Sequence, residues 1–162
     1  MNLYTTTQRT AIFPGSFDPF TAGHEAIVRR ALTLFDNIII GVGTNTKKTG
    51  FLSPQNRRCL IEDTFAKEPR VKVVLYEGLT VEFCKAQRAT HIIRGLRNSE
   101  DMEFERAIEI LNKGIDKKIE TIYLLTAPEH LHISSSAVRE LYHFGEDTST
   151  LLPQKINLEN YL

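Results

Sequence analysis

Apolar segments alternate with helical patterns along the whole chain, and this alternation restricts the fold more than any other feature of the sequence. The segment NIIIGVG, which begins at Asn37, is apolar without a polar residue at every second position. Such a segment is typical of a parallel strand that is covered on both faces. Parallel strands joined by helices form right-handed crossovers. The sequence therefore predicts an α/β domain, doubly wound around a five-stranded parallel sheet.

Capping residues indicate where the predicted helices begin and end. Thr21 is expected to cap a helix that runs to Phe35, and Ser53 followed by Pro54 is expected to open a second helix ending near residue 66. Thr80 is the expected cap of a short third helix. The last full helix follows a run of serines and ends at Gly145, and the C-terminal tail is expected to form a short helix.

Three details of these elements are predicted from residue type alone. The first strand is expected to start at Ala11 and to stop at Pro14-Gly15, because both residues favour turns. A helix is predicted from Asp101 to Asn112, with Gly114 as its C-terminal stop. The residues expected to face the core are Ile27, Ala31, Leu34 and Phe35 in the first helix, and Met102, Ala107, Ile108 and Leu111 in this one.

Length and charge restrict the classes of partner. The 162 residues fit one domain, predicted to span residues 1–162 with residues 1–9 as a flexible arm. The 20 Lys+Arg residues balance the 20 Asp+Glu residues, so no nucleic acid or membrane partner is expected. Cys59 and Cys84 offer no metal-ligand spacing and no disulfide framework, and the N-terminus has no apolar leader. These features predict a cytoplasmic protein.

Unusual residues follow four of the five predicted strands, at the edge where open α/β sheets bind ligands. The order of the strands does not follow from the sequence, but all four groups are expected on one rim of the sheet. The groups are Gly15, Ser16, Asp18, Gly23 and His24 after the first strand; Lys47 and Lys48 after the second; Arg94, Gly95 and Arg97 after the fourth; and His130, His132 and Ser134 to Ser136 after the fifth.

The first group is suited to binding phosphate. A helix N-terminus presents free N–H groups and a partial positive charge, and glycine lets the backbone approach a ligand. His24 adds an imidazole in the first helical turn. The alternative is that His24 only caps the helix or packs against its neighbours.

The arginines after the fourth strand are also suited to phosphate, because a guanidinium donates paired hydrogen bonds. The alternative for Arg94 and Arg97 is a set of salt bridges to Glu100, Asp101 or Glu103. The alternative for Lys47 and Lys48 is full solvation.

Three consecutive serines exceed what one helix cap requires, which indicates an anion site or redundant capping. His130 and His132 are interpreted as walls of a pocket, because no further metal ligand stands at suitable spacing. The chain has no GxxxxGK[ST] loop and no GxSxG elbow, and its GVG segment lies inside a predicted strand.

Taken in order, four segments resemble the bacterial phosphopantetheine adenylyltransferases. They are PGSFDPFTAGH, with the T/HxGH element of the wider nucleotidyltransferase superfamily, then NTKKTGF, IIRGLRNSEDMEFE and HISSSAVREL. The resemblance extends from Ala11 to the C-terminal tail. It implies a Rossmann-like fold, a homohexamer, and transfer of the adenylyl group of ATP to 4'-phosphopantetheine with Mg²⁺, giving 3'-dephospho-coenzyme A and pyrophosphate.

The resemblance also implies roles for individual residues. His24 is expected to stabilise the transition state, and Ser16 to contact both substrates. Lys48 and Arg94 are expected to hold the acceptor phosphate, although a shift of one residue in the loop would select Lys47. Thr80 is expected to contact the pantetheine arm. Lys48 and Arg97 are also expected to be catalytic. The expected ATP-binding residues are Ser16, Phe17, His24, Gly95, Leu96, Arg97, Glu105, His130, Leu131, His132, Ile133, Ser134, Ser135 and Ser136.

Two residues depart from the commonest family pattern. Phe104 replaces a frequent Tyr, and His130 replaces a frequent aromatic residue. Two other functions remain open from the sequence. One is a related nucleotidyltransferase that uses another phosphorylated acceptor, and the other is a nucleotide-binding module without activity.

Overall fold

A five-stranded sheet with every strand parallel forms the centre of the molecule. The structure is a computed structural model that describes residues 8–44 and 49–162. The spatial order is β3-β2-β1-β4-β5, which confirms the predicted α/β class and the doubly wound, Rossmann-like sheet. The strands are β1 (Thr10–Gly15), β2 (Asn37–Gly43), β3 (Val71–Tyr76), β4 (His91–Leu96) and β5 (Glu120–Leu125).

Five α-helices connect and follow the strands. They are α1 (Ala22–Ala31), α2 (Pro54–Thr64), α3 (Thr80–Ala86), α4 (Ser99–Ile115) and α5 (Ser135–His143), with short 3₁₀ helices at Pro128–His130, Ser149–Leu151 and Leu158–Tyr161. The caps predicted at Thr21 and Ser53 are confirmed, since each side chain accepts a hydrogen bond from a backbone N–H of its helix. Gly145 follows α5 with a φ of 75°, a conformation that glycine adopts without strain.

The two faces of the sheet are covered differently. The α1 face includes Phe13, Ile40 and Ile93, and it is buried in a continuous apolar core with α1, α2 and α5. The α4 face is opposite and includes Ile12 and Ile92. It is covered by α3, through a smaller apolar cluster, and by α4. Side chains alternate between the two faces along each strand.

The strand order reverses between β1 and β4, and these two strands separate there. They pair only at Ala11 with His91 and Ile12 with Ile92. Pro14 and Gly15 are expected to stop β1, but that prediction is wrong. Both residues belong to the strand, because they remain paired with β2. Pro14 has no N–H, and its carbonyl faces β4. The missing N–H is on that same side, where β1 and β4 are no longer paired, so the sheet loses no hydrogen bond there. The result is an open crevice at the carboxyl ends of the central strands.

The predicted start of α3 and the predicted end of α1 are wrong. The cap of α3 is Leu79, which makes no side-chain hydrogen bond, and the Thr80 hydroxyl instead lies 2.9 Å from the hydroxyl of Tyr76. Helix α1 ends at Ala31 instead of Phe35, and Leu34 beyond it is exposed. Both errors arose where a tertiary contact, or its absence, outweighed the local sequence pattern.

The predicted inner face of α4 is wrong. Met102, Ala107 and Leu111 are exposed, Ile108 is half-buried, and the one residue of α4 classed as buried is Glu105. The helix also continues through Gly114, the predicted stop, to Ile115. Helix α4 therefore covers the sheet with a polar stripe and turns much of its apolar surface outward.

The N-terminal segment enters the fold at the start of β2. Arg9 donates its backbone N–H to Asp36 and accepts backbone hydrogen bonds from Asp36 and Asn37. The rest of the predicted arm, residues 1–7, lies outside the described residues. None of the described helices is both long enough and apolar enough to cross a bilayer.

Candidate active site

Two cavities meet at the crevice between β1 and β4, one on each face of the sheet. The α1-face cavity has a volume of about 510 Å³ and the α4-face cavity about 580 Å³. Their shared wall consists of Pro14, Gly15, Ser16, Arg94 and Glu105. A ligand in one cavity can therefore contact a ligand in the other at this wall.

His24 lies in the α1-face cavity and closes the capping box of α1. Its Nδ1 lies 3.0 Å from the backbone N of Thr21, whose N–H can only donate. Nδ1 is therefore the acceptor, and the proton of the neutral ring is on Nε2. Nδ1 therefore takes part in the cap, as the alternative interpretation of His24 expects. Nε2 remains available for a ligand.

An aromatic cage keeps this imidazole neutral. The rings of Phe17 and Phe20 lie 5.1 and 5.3 Å from the His24 ring, and Phe13 lies at 6.3 Å. Burial, and to a smaller extent the positive charges of Arg94 and Arg97, together lower the pKa of His24 from 6.5 to about 4. At neutral pH the side chain is therefore a hydrogen-bond donor without a charge.

The loop between β1 and α1 is folded tightly around Ser16. Phe17 has a φ of 49°, which is rare for a residue with a side chain, and its ring folds back over Gly15. A Cβ at Gly15 would lie 2.7 Å from that ring, so no larger residue fits there without a shift. Ser16 is consequently exposed at the top of β1, where it lines both cavities.

Asp18 and two arginines hold this loop. The Asp18 carboxylate accepts backbone hydrogen bonds of 2.7 Å from Phe51 and from Leu52. Buried Arg57 donates to the Ser16 carbonyl at 3.0 Å, and Arg139 donates to the Asp18 carbonyl at 2.7 Å. These contacts tie the β1–α1 loop to the segment before α2 and to α5.

Arg94 is held in the shared wall by three hydrogen bonds. Its Nε donates to Glu105 Oε2 at 2.7 Å, its Nη2 donates to Glu105 Oε1, and its Nη1 donates to the Pro14 carbonyl at 2.6 Å. A guanidinium has five N–H groups, so two remain for a ligand while this geometry is kept. The expected alternative partners, Glu100, Asp101 and Glu103, do not pair with Arg94.

Arg97 does make one of the alternative salt bridges. Its Nε lies 3.1 Å from Asp101 Oδ2, one helical turn away, and both residues line the α1-face cavity. The pair is substantially exposed, so it contributes little to folding. Arg97 is therefore free to exchange Asp101 for an anionic ligand.

The three serines at the start of α5 have different partners. Ser134 caps the helix by accepting from the Ala137 N–H at 3.1 Å. The Ser135 hydroxyl donates to the Pro19 carbonyl at 2.8 Å, and the Ser136 hydroxyl accepts from Arg139 at 3.1 Å. All three line the α1-face cavity, where the first N–H groups of a helix lack intrahelical partners. Redundant capping is therefore wrong as the explanation of this run.

Some of the other predicted ATP-binding residues line the α1-face cavity and others do not. His130, Ile133 and Gly95 line the α1-face cavity, and the His130 Nδ1 is buried with no hydrogen-bond partner within the described structure. Leu131 and His132 are exposed and do not line that cavity, and neither does buried Leu96.

The α4-face cavity lies between α3 and α4. Thr80 lines it beside Tyr76, whose ring stacks on Phe83 at 4.3 Å. This stack lies against Gly41, where a Cβ would be 2.5 Å from the Phe83 ring. Tyr76, the last residue of β3, thus forms part of the wall of this cavity.

Sequence reasoning missed several residues of the α4-face cavity. The rule applied to the other strand ends also applies to β3, and it would have found Tyr76, Glu77 and Gly78. Glu109 and Asn112 stand four and seven residues after Glu105, a spacing that places them on one side of α4.

The predicted lysines, Lys47 and Lys48, lie outside the described residues. The ends of their loop are described. Thr44 lines the α4-face cavity, and Phe51 and Leu52 are bound by Asp18. Both ends are thus close to the shared wall.

Carboxylates are few around the α1-face cavity. Asp101 and Glu105 line it, and each pairs with an arginine. Within residues 8–44 and 49–162, no group of three or more His, Cys, Asp or Glu side chains is placed to hold a metal ion. Asp101 is a carboxylate of the kind that Mg²⁺ carried on phosphate oxygens uses, since such sites need only one or two protein carboxylates.

Comparisons with known proteins agree with this geometry. The Cytidylyltransferase-like family matches residues 12–141. Phosphopantetheine adenylyltransferase from Flavobacterium johnsoniae is 48% identical over 93% of this chain and 99% of its own length. The enzymes of the same name from Flavobacterium psychrophilum and Streptococcus mutans are 49% and 40% identical over 93% of this chain, and over 99% and 91% of their own lengths. This chain therefore belongs to the phosphopantetheine adenylyltransferases, within the Cytidylyltransferase-like family.

Proposed function

We propose that this protein transfers the adenylyl group of ATP to 4'-phosphopantetheine, producing 3'-dephospho-coenzyme A and pyrophosphate. The observation that carries the proposal is the wall shared by the two cavities. Adenylyl transfer to a phosphate acceptor brings two phosphorylated substrates together at one phosphorus atom. A wall bearing Ser16 and Arg94 between two cavities provides such a meeting point.

The chemistry of the cavities indicates which substrate each one binds. The α1-face cavity has the helix N-terminus of α5, Arg97 and the His24 donor, which suit a polyphosphate. We assign ATP to it. The α4-face cavity is a groove between two helices with one arginine at its end, which suits an extended arm carrying a single phosphate. We assign 4'-phosphopantetheine to it.

The reaction needs positioning and charge stabilisation more than general-base catalysis, because the attacking group is already a phosphate dianion. His24 would donate its Nε2 proton in a hydrogen bond to an α-phosphate oxygen, whose charge rises in the transition state. The Thr21 N–H fixes the tautomer that makes this possible. No covalent intermediate on the protein is required.

Positive groups offset the repulsion between the two phosphates. The two remaining N–H groups of Arg94, together with Lys48, would hold the acceptor phosphate. Arg97 and the N-terminus of α5 would hold the β- and γ-phosphates of ATP. Mg²⁺ bound to the ATP phosphates would neutralise further charge there, and Asp101, which lines the same cavity, would hold it or its waters.

His130 is proposed to contact the adenine. Its Nδ1 is buried without a partner in the described structure, and buried polar atoms normally have one. A base amino group in the α1-face cavity would supply that partner. Ile133, beside it, provides apolar surface for the ring.

We also propose that the protein is a cytoplasmic homohexamer. Exposed apolar residues on the outer side of α4 and on the edge strand β5 support an interface between copies: Phe104, Leu111, Ile115 and Leu125. Both cysteines of the chain are free thiols, which suits a reducing compartment.

Pyrophosphate release tests the proposed activity. The purified protein is incubated with Mg²⁺ and ATP, with and without 4'-phosphopantetheine, and CTP replaces ATP in a parallel reaction. We expect release only with ATP and the acceptor together. Release with another phosphorylated acceptor but not with this one would favour the related nucleotidyltransferase, and ATP binding without release would favour a nucleotide-binding module.

A further inference from the structure

The charged side chains of the α4-face cavity differ from one end to the other. Arg94 stands at the shared wall, and both oxygens of Glu105 are engaged by it. Glu109 and Glu77 are the other charged residues among the described lining, and both are acidic. Arg94 and Glu105 balance each other in charge, so the cavity offers free N–H donors where we place the acceptor phosphate and is anionic beyond it.

The position of Glu109 along the cavity follows from helix geometry. Helix α4 starts at the carboxyl ends of the strands and returns toward their amino ends, so later residues lie farther from the shared wall. Glu109 stands four residues after Glu105, which is about 6 Å along the helix axis. Ile92 and Thr121, near the amino ends of β4 and β5, also line the cavity, so the cavity continues past Glu109.

Tyr123 on β5 fixes the Glu109 carboxylate. The Tyr123 hydroxyl lies 3.2 Å from Glu109 Oε2 and 3.3 Å from the backbone carbonyl of Glu105. A tyrosine hydroxyl has one proton, and an ionised carboxylate is the stronger acceptor of the two. Burial and the Glu109 charge raise the pKa of Tyr123 to about 12, so this hydroxyl stays a donor at neutral pH.

We propose that Glu109, positioned by Tyr123, makes the acceptor cavity selective against acceptors that carry a negative charge on the arm beyond the phosphate. This inference rests on the proposed function, because it assumes that the acceptor occupies the α4-face cavity. A neutral amide arm can donate N–H groups to Glu109. A carboxylate at the same place is repelled by Glu109 and Glu77, and no described cation of the cavity beyond Arg94 offsets that repulsion.

Two acceptors that differ only in charge provide the test. One is 4'-phosphopantetheine with a carboxylate on the carbon bonded to the terminal amide nitrogen, and the other has a primary carboxamide at that carbon. The measured quantity is the ratio of kcat/KM for the carboxamide to kcat/KM for the carboxylate, with Mg²⁺ and ATP. We expect the wild-type protein to prefer the carboxamide by at least about tenfold.

Three variants identify the residue responsible. Glu109→Gln is expected to lower the preference by about tenfold, and Tyr123→Phe by less, because the carboxylate remains but is no longer held. Glu103→Gln is the matched control, since Glu103 is exposed on α4, outside the cavity, and loses the same charge. Raising the salt concentration should also reduce the wild-type preference.

The outcomes separate this inference from the proposed function. If the wild-type protein adenylylates neither 4'-phosphopantetheine nor the carboxamide, the proposed function is wrong. If it uses 4'-phosphopantetheine but shows no preference between the charged and neutral derivatives, or if Glu109→Gln and Glu103→Gln have equal effects, the inference alone is overturned. Should Glu109→Gln fail to fold, Glu77→Gln must lower the preference instead, and an unchanged ratio would overturn the inference.

Discussion

The two faces of the sheet are covered by different kinds of side chain. On the α1 face, aliphatic and aromatic residues from three helices form a continuous core, and His24 is fixed within it by Thr21 and two phenylalanine rings. On the α4 face, Glu105 and Glu109 of α4 cover the sheet through hydrogen bonds to Arg94 of β4 and Tyr123 of β5. Packing holds one cavity, and hydrogen bonds and charges hold the other.

This difference explains how one active site can treat its two substrates differently. A rigid apolar face keeps a neutral donor aligned with a phosphate whose charge changes during the reaction. A polar face can instead distinguish ligands by charge, because its groups are directional and less shielded from one another than in water. Substitutions on the two faces should therefore have different effects on turnover, binding and stability.

The largest expected effect comes from the α1 face. His24→Ala should slow turnover by about 10²–10³-fold, as expected for the loss of one preorganised donor, while ATP affinity changes only a few-fold. Stopped-flow or steady-state pyrophosphate release, with calorimetric ATP titration, measures both. Turnover near the wild-type value would rule out the role assigned to His24.

Arg94→Ala tests the α4 face. If Arg94 and Arg97 made only exposed ion pairs, the loss of either would leave the protein folded, but Glu105 is buried and pairs only with Arg94 among the described residues. Removing Arg94 should therefore lower the free energy of unfolding by about 3 kcal/mol and weaken acceptor binding. Arg97→Ala, the matched control, should leave stability within about 0.5 kcal/mol and weaken ATP binding.

Denaturant titrations and calorimetry with both ligands separate these effects. The double variant Arg94→Met, Glu105→Gln removes both charges and should recover much of the stability without recovering acceptor affinity. Equal stability losses in Arg94→Ala and Arg97→Ala would contradict the contrast between a buried and an exposed pair.

The pH dependence of stability tests the aromatic cage on the α1 face. The unfolded chain protonates His24 near pH 6.5 and the folded protein near pH 4, so the unfolded state binds more protons between these values. Stability due to His24 is thus complete above pH 6.5 and decreases as the pH falls, by about 2 kcal/mol at pH 5.

His24→Gln is the reference for this measurement, because glutamine can keep the capping box and does not titrate. The difference in unfolding free energy between wild type and His24→Gln, measured from pH 7.5 to pH 5, should change by that amount. A constant difference would mean that His24 is protonated as readily in the folded protein as in the unfolded chain.

Lys47 and Lys48 lie outside the described residues, and their variants test which of them binds the acceptor phosphate. Lys48→Ala should raise KM for 4'-phosphopantetheine by about tenfold, as expected for one charge-assisted hydrogen bond, with little change in KM for ATP. Lys47→Ala is the adjacent control and should have a much smaller effect. A larger defect in Lys47→Ala would move the assignment by one residue.

The smallest effect on folding is expected on the outer side of α4. Leu111→Ser removes an exposed apolar side chain, so it should change monomer stability by less than about 0.5 kcal/mol. Sedimentation velocity should nevertheless show smaller assemblies if this surface joins copies of the chain. Ala107→Ser, on the same helix, is a milder control that removes little apolar area.

Much of the fold could be predicted because the relevant information is local. Apolar runs and caps identified five strands and five helices, since burial and capping depend on residues near in sequence. The groups at the strand ends were found in the same way, because parallel strands end at one edge whatever their order.

The sequence by itself determined most of the α1 face, where the apolar pattern matches burial except at Leu34, and the Thr21 cap of the helix that carries His24. Only the tertiary structure decided the α4 face. An ion pair such as Arg94 with Glu105 joins residues on different elements, and its burial reverses the usual rule that charged residues face water. Helix α4 therefore turned Glu105 inward and Leu111 outward, against its own apolar pattern.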